Sequence, residues 1–174
     1  MTRALDAYLD IETTGLSFPN DRITVVGIYL CNSTDSKLVQ LVGRRVTRKN
    51  LVEALTGVHS IYTYNGRRFD LPFIEAHVGI DLESEFYHHD LMYECWKHNL
   101  RGGFKAVEQQ LKIPRKLKDV NGYQAVLLWQ EYKLYGNKKA LNTLLEYNKE
   151  DVVNLKALRA KLSEYEIQQN GERG

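Results

Sequence analysis

Two carboxylates stand two residues apart in LDIETTGL, Asp10 and Glu12. A third, Asp70, lies in YNGRRFDLPF, and a fourth, Asp151, follows Tyr147 by four residues in YNKEDV. Carboxylates drawn from remote segments repel one another, so a fold gathers them only where something positive sits between them. The chemistry that suits such a cluster is that of a pair of divalent metal ions poised on a phosphodiester. That reading depends on the elements that must bring the four acids together.

Asp10 and Glu12 belong to an alternating segment that opens at Ala4 to Ile11. Leu5, Leu9 and Ile11 lie on one side, and Tyr8, Asp10 and Glu12 on the other. Residues two apart on a strand leave the same face, so both carboxylates can ligate one hard cation. They sit at the C-terminal end of the strand, where ligands of open α/β sheets are commonly found. Taken singly, the pair reads first as an ordinary acidic strand exit. Asp70 follows a strand, the Asn65-Gly66 turn and two arginines, Arg67 and Arg68. Alone it reads as a carboxylate favoured at a helix start by capping or the helix dipole. Tyr147 and Asp151 share one helix face about a turn apart. Their stripe continues to Leu155 and Leu158, which should bury it against the sheet.

The predicted elements follow from the same periodicities. Ile23 to Leu30 is a second apolar strand and Leu38 to Val42 a third, completing an antiparallel meander; Thr47 caps a helix over Arg48 to Leu55. Ser60 to Tyr64 is a short strand, Asp70 to about Val78 a helix, and Phe86 to His89 a brief strand. From Leu91 onward the pattern is mainly helical, with helices over Gly103 to Leu111, Tyr123 to Tyr135, and one or two more from Lys139 to about Tyr165. Three strands, then a strand-helix alternation, then helices predict an α/β domain with a mixed sheet.

The chain has 174 residues, 43% hydrophobic and 26% charged, which suits one domain over residues 1–174 with a single core. No apolar run approaches the roughly 20 residues of a membrane span. The opening residues, MTRALDAYLDIE, carry acids where a secretory leader needs an apolar stretch, so the expected location is cytoplasmic. Cys31 and Cys95 have neither a zinc-site spacing nor a disulfide framework and are expected to be reduced, buried or idle. The five histidines show no ligand pattern and none is assigned to catalysis. The net charge of +2 decides little. Its distribution says more: Lys97, Arg101, Lys105, Lys112, Arg115, Lys116 and Lys118 are opposed only by Glu108. That segment suits contact with a phosphate backbone as well as it suits a solvated face.

Together, LDIETTGL, YNGRRFD and YNKEDV resemble the three exonuclease motifs of the DEDD 3′–5′ exonucleases, which have the RNase H-like fold. The spacing of Tyr147 and Asp151 looks like the tyrosine subgroup, DEDDy; the histidine subgroup would need His where Glu146 stands. The Asn-Gly-x-x-Phe-Asp phrase is also similar to the second exonuclease motif of family B DNA polymerases. A closer resemblance is to the stand-alone YprB-like exonuclease group. It takes in Leu100-Arg101-Gly102-Gly103-Phe104 and the tail from Ala140 to Leu155, and so covers about Ala7 to Leu158.

The resemblance implies a central mixed five-stranded sheet, a three-strand meander plus two parallel strands, flanked by helices. It implies hydrolysis at the 3′ end of single-stranded nucleic acid, DNA favoured over RNA, with two Mg²⁺ or Mn²⁺ ions as cofactors. Asp10, Glu12 and Asp151 would hold one ion and its attacking water; Asp10, partly shared, and Asp70 would hold the second, at the leaving 3′ oxygen. Tyr147 would orient the water through its hydroxyl. The Thr13 backbone would meet the terminal 3′ hydroxyl, Leu16 would wedge against the last base, and Asn65 would help position the strand. Phe69 is expected in the core, Tyr64 is expected to pack although it has the shape to stack on a base, and Asp90 is expected in a structural hydrogen bond at the rim. The implied partner is the 3′ end itself, with a polymerase or other repair or replication protein beside it, and no membrane.

Two other readings share these residues. One is a non-catalytic module that holds single-stranded nucleic acid; the complete set of four acids plus Tyr147 argues against it. The other is an endonuclease on the same fold, which the Thr13 and Leu16 end-binding pattern disfavours.

Overall fold

Apolar runs with strand periodicity build the centre of the molecule. In the computed structural model, which describes residues 5–171, β1 (Leu5–Thr13), β2 (Ile23–Cys31) and β3 (Ser36–Val42) form an antiparallel meander. β4 (Val58–Thr63) pairs in parallel with the other side of β1, and β5 (Tyr87–Asp90) pairs in parallel with β4. The order β3-β2-β1-β4-β5 is the mixed five-stranded sheet expected, with the Asp10 strand at its centre. A central strand is hydrogen-bonded on both edges, so its side chains are the best-fixed platform in the sheet.

Seven helices flank it among the described residues: α1 (Arg48–Ala54), α2 (Asp70–Val78), α3 (Leu82–Glu85), α4 (Leu91–Lys97), α5 (Phe104–Gln110), α6 (Gly122–Tyr135) and α7 (Lys138–Gly171). Their ends carry the expected chemistry. Thr47 Oγ1 accepts from the Asn50 amide at 3.2 Å at the start of α1. Asn121 and Gln124 form a reciprocal capping box on α6.

Both faces of β1 are buried. Ala7, Leu9 and Ile11 meet Leu51, Leu55, Phe73 and Ile74 from α1 and α2. On the other face, Tyr8 and Tyr62 meet Leu155, Leu158 and Leu162 of α7. Leu155 and Leu158 are fully enclosed, as their place on the Tyr147 stripe predicts, and each such burial is worth about 1.5–3 kcal/mol. A third cluster, Val25, Ala125, Leu144 and Tyr147, ties α6 and α7 to β2. The site lies where this cluster meets the C-terminal end of β1.

Several boundaries differ from the sequence expectation. β1 continues two residues past Ile11 because pairing with β2 persists to Thr13 opposite Ile23, through an irregularity between Glu12 and Thr13. The predicted start at Ala4 lies outside the described residues. The last helical stretch is one uninterrupted helix, α7. The short helices α3 and α4 were not individually anticipated; Asp81 and Asp90 cap them, which makes turns of four and seven residues viable. Cys31 and Cys95 are free and buried, as expected of reduced thiols. No helix among the described residues is long and apolar enough to cross a membrane.

Candidate active site

β1 delivers Asp10 and Glu12 to the face that α7 crosses, and α7 delivers Tyr147 and Asp151 from above. One oxygen from each of Asp10, Glu12 and Asp151 lies within 4.8 Å of the others. Residues 139 positions apart in sequence, 12 and 151, thus share one small volume. Asp70 stands beside them at the first turn of α2, where its Oδ1 accepts the Ile11 amide at 3.0 Å. It is buried but is not one of the three acids that close around a common point. Tyr147, Asp10, Glu12, Asp151, Thr13, Leu16 and Phe69 line one open cleft of about 510 Å³, with Tyr123 and Val126 of α6 on its far wall.

Each of these carboxyls is raised, by burial first and with nearby carboxylates adding to it. Loss of water, then the neighbouring Asp151 carboxylate, holds the Glu12 carboxyl well above its ordinary range. Asp10 is raised in the same way, with Asp151, Glu12 and Asp70 all contributing after desolvation. Burial lifts Asp70 to about 7 against the pull of the Ile11 amide. Asp151 rises to about 6, also by burial, held back by Arg115. The cluster is short of positive charge.

Part of the compensation comes from residues the sequence reading passed over. Arg115 sits in the basic run, yet it points inward. Its Nε and Nη2 donate to Glu108 Oε2 and Oε1 at 2.7 and 2.8 Å, and Nη2 also donates to Asp151 Oδ1. Asn154 Nδ2 donates to Glu108 Oε1 at 2.7 Å and completes the network. Such a fork fixes the orientation of a carboxylate better than a lone ammonium does. Asn148 performs a parallel task for Asp10, donating from Nδ2 to Oδ2 at 3.2 Å. The only sequence signal for Asn148 was its place between Tyr147 and Asp151. For Arg115 and Glu108 it was one acid among seven cations, which composition alone does not resolve.

The remaining candidates fall as follows. Thr13 and Leu16 border the cleft, Leu16 with 84% of its surface exposed. Asn65 takes a left-handed backbone (φ 61°) and gives its amide to Asp90 Oδ1 at 2.8 Å. Its own side-chain Oδ1 is buried without a partner, and Asn65 does not line the cleft. Asp90 makes the structural hydrogen bonds expected of it, to the amides of Asn65, Arg67 and Met92. Phe69 packs on the core against Phe73 while its edge reaches the cleft. Tyr64 stacks on Phe104 and donates to Gly102 O at 2.8 Å, so it packs rather than waits for a base. The basic run divides: Arg115 and Lys105 bond inward, and Lys97 pairs with Glu94.

The donor set fits a divalent metal. It is all oxygen, it is drawn from three carboxylates at ligating separation, and Glu12 Oε1 is buried with no hydrogen-bond partner. An orphaned buried carboxylate oxygen is costly unless a cation meets it. Hard cations such as Mg²⁺ and Mn²⁺ take such ligands.

Fold and site together define an RNase H-like α/β domain with an acidic cluster suited to divalent metal. Comparison with known proteins gives the family: the model described as the RNase_H superfamily matches residues 7–163, and the chain belongs to that superfamily. It is 28% identical over 170 residues to the uncharacterized protein YprB of Bacillus subtilis, covering 90% of this chain and 41% of that protein. The chain therefore spans less than half the length of this curated relative. Among solved structures, a family B DNA polymerase from Pyrobaculum calidifontis superposes with a TM-score of 0.68 at 15% identity, over 91% of this chain and 24% of the polymerase. Brucella melitensis NrnC bound to pGG superposes with a TM-score of 0.62 at 21% identity, over 95% of this chain and 74% of NrnC. These likenesses bear out the RNase H-like fold.

Proposed function

We propose that this domain is a metal-dependent 3′–5′ exonuclease that hydrolyses phosphodiester bonds at the 3′ end of single-stranded nucleic acid, DNA favoured over RNA. The observation that carries the reading is the convergence of Asp10, Glu12 and Asp151 within 4.8 Å in an open cleft, with Tyr147 one helical turn from Asp151. Two ions, Mg²⁺ or Mn²⁺, held by Asp10, Glu12 and Asp151 and by Asp10 with Asp70, would supply an ionised water and charge stabilisation at the leaving oxygen. The similarity to NrnC bound to pGG supports a cleft for a nucleotide chain.

The chain's own residues do the rest. Tyr147 keeps its proton throughout the neutral range, because burial and the Asp151, Glu12 and Asp10 carboxylates push its ionisation up. It therefore orients a water by hydrogen bonding and does not act as the base. Arg115 and Asn148 hold Asp151 and Asp10 in register. Leu16, exposed at the lip of the cleft, would wedge against the last base. Thr13 holds the turn below it by donating to Gly15 O at 2.5 Å, and its backbone would meet the terminal 3′ hydroxyl. Asn65 shapes the turn that leads into α2 and helps position the strand from there. The same reading has the domain working in the cytoplasm, beside a polymerase or another repair or replication protein.

The test is digestion of 3′- and 5′-labelled DNA and RNA oligonucleotides with Mg²⁺, Mn²⁺ or EDTA, beside a circular single strand. The expected result is stepwise loss from the 3′ end with metal only and an intact circle. Cutting of the circle would make it an endonuclease. Tight binding with no cutting in either metal would make it a binding module.

A further inference from the structure

A second cavity, of about 390 Å³, lies beyond the acidic cleft, and Thr14 borders both. One face of α6 runs along the two: Tyr123 and Val126 line the cleft, and Trp129 and Lys133 line the second cavity. Steps of three or four residues keep these side chains on one side of the helix. Arg22, Arg44, His77 and Lys133 surround the space and no acidic residue lines it. Arg22, Arg44 and Lys133 make no ion pair among the described residues. Asp21, on the neighbouring loop, is taken up by Thr14 Oγ1 at 3.0 Å and the Ser17 amide at 2.9 Å. Thr24 Oγ1, in the wall of the cavity, is buried without a partner. Trp129 forms a flat side of the cavity, and Gly43 (φ 54°) admits it: a Cβ there would sit 3.2 Å from the indole ring.

The Lys133 ammonium lies 6.0 Å over the Trp129 ring, and cations without acidic partners beside an indole are the combination that grips single-stranded nucleic acid, cations on phosphates and the ring on a base. We propose that this cavity is a further nucleotide subsite, holding backbone phosphate and one base of the substrate strand on the 5′ side of the two nucleotides that flank the bond being cut. The direction rests on the exonuclease reading. An enzyme that consumes a 3′ end keeps that end in the acidic cleft, so the strand continuing past Thr14 lies on its 5′ side. The consequence is a preference for oligomers over dinucleotides, carried by affinity and not by turnover.

The test separates binding from cutting. Trp96→Phe leaves Trp129 as the sole tryptophan of the two in the chain. In EDTA, its fluorescence is expected to be quenched by a single-stranded octanucleotide and not by a dinucleotide. Arg22→Ala, Arg44→Ala and Lys133→Ala together should lower the dependence of log affinity on log salt for the octanucleotide by about 2, at roughly 0.7 per lost phosphate contact. With Mg²⁺, KM for the octanucleotide should rise about tenfold or more in that variant while kcat and all dinucleotide constants stay unchanged, and Arg22→Lys with Arg44→Lys should retain wild-type behaviour. Equal quenching by both lengths, or wild-type octanucleotide affinity in the triple variant, would overturn the subsite. An octanucleotide that is gripped through Trp129 and never cut by the wild type would overturn the exonuclease reading and leave the subsite standing.

Discussion

Asn148 Nδ2 reaches back across the sheet to Asp10, donating to Oδ2 at 3.2 Å and to the backbone oxygen at 3.3 Å. The other end of the same amide, Oδ1, accepts from Gln40 Nε2 at 3.0 Å. Asn148 is thus locked between β1 and β3 and is wholly enclosed. Its fit depends on Gly27, the residue opposite Asp10 on β2, where an added Cβ would lie 2.1 Å from Asn148 Oδ1. Groups that orient metal ligands typically cost about 10- to 100-fold in activity or metal affinity when removed. Asn148→Ala is expected to lose that much, with stability down by about 1–3 kcal/mol from the unsatisfied partners. Gly27→Ala should reproduce the defect although it touches no acid, because it displaces the amide. Steady-state cleavage rates and metal titrations of the two variants, with urea denaturation for stability, check this.

The buried Arg115–Glu108 pair behaves differently from a surface ion pair. Both partners are enclosed, so removing one strands a charge in the interior. Arg115→Met should destabilise the protein by about 3–5 kcal/mol. Adding Glu108→Leu to Arg115→Met should recover part of that stability, since the Glu108 charge is no longer stranded, but should not recover cleavage, because Asp151 still lacks its guanidinium donor. Urea denaturation of both variants and the wild type gives the stability cycle, and cleavage assays give the other half.

Proton linkage sets the sign of a pH effect. The carboxyls of Asp151 and Asp70 ionise at about 6 and about 7 in the metal-free fold, against about 4 in an unfolded chain. Raised values mean that the fold favours the protonated forms. Their stabilising contribution is complete below about pH 4 and is lost as pH climbs through about 6 and about 7. The melting temperature in EDTA should therefore fall between about pH 5 and about pH 8. Divalent metal needs the ionised carboxylates, so the increment it adds should grow over the same interval. A metal increment that shrinks with rising pH would contradict this account of the site.

Asp10→Asn isolates the repulsion. After burial, Asp151, Glu12 and Asp70 all push the Asp10 carboxyl upward, against the Asn148 hydrogen bond. The neutral amide should raise the metal-free melting temperature, abolish most of the gain from Mg²⁺ or Mn²⁺, and remove cleavage. Calorimetry with and without metal checks the first two and end-labelled oligonucleotides the third.

Tyr147→Phe should be milder than the loss of a carboxylate such as Asp10. The hydroxyl orients water and does not take its proton, so the loss should be about 10- to 100-fold, at or below the lower end of the ~10²- to 10⁴-fold range of general acid–base catalysis. The cleavage pH profile should keep its shape, because no titrating base has been removed. Rate–pH curves of the two proteins make the comparison.

Periodicity alone made the five strands, the helix opened by Asp70 and the Tyr147–Asp151–Leu155–Leu158 stripe legible, because alternation and i, i+4 spacing are local consequences of backbone geometry. The acidic motifs pointed to metal chemistry for the same reason: residue type and short-range spacing are written along the chain. The tertiary structure alone decided which polar neighbours meet those acids. Arg115 looked like one more cation in a basic run, and only the packing of α5 and the following loop against α7 turns it onto Glu108 and Asp151. Asn148 acquires its role because α7 crosses β1 at the height of Asp10, and Gly27 because β2 passes directly beneath that amide. Contacts across 36 to 138 residues of chain depend on where whole elements come to rest, and no short window of sequence carries that information.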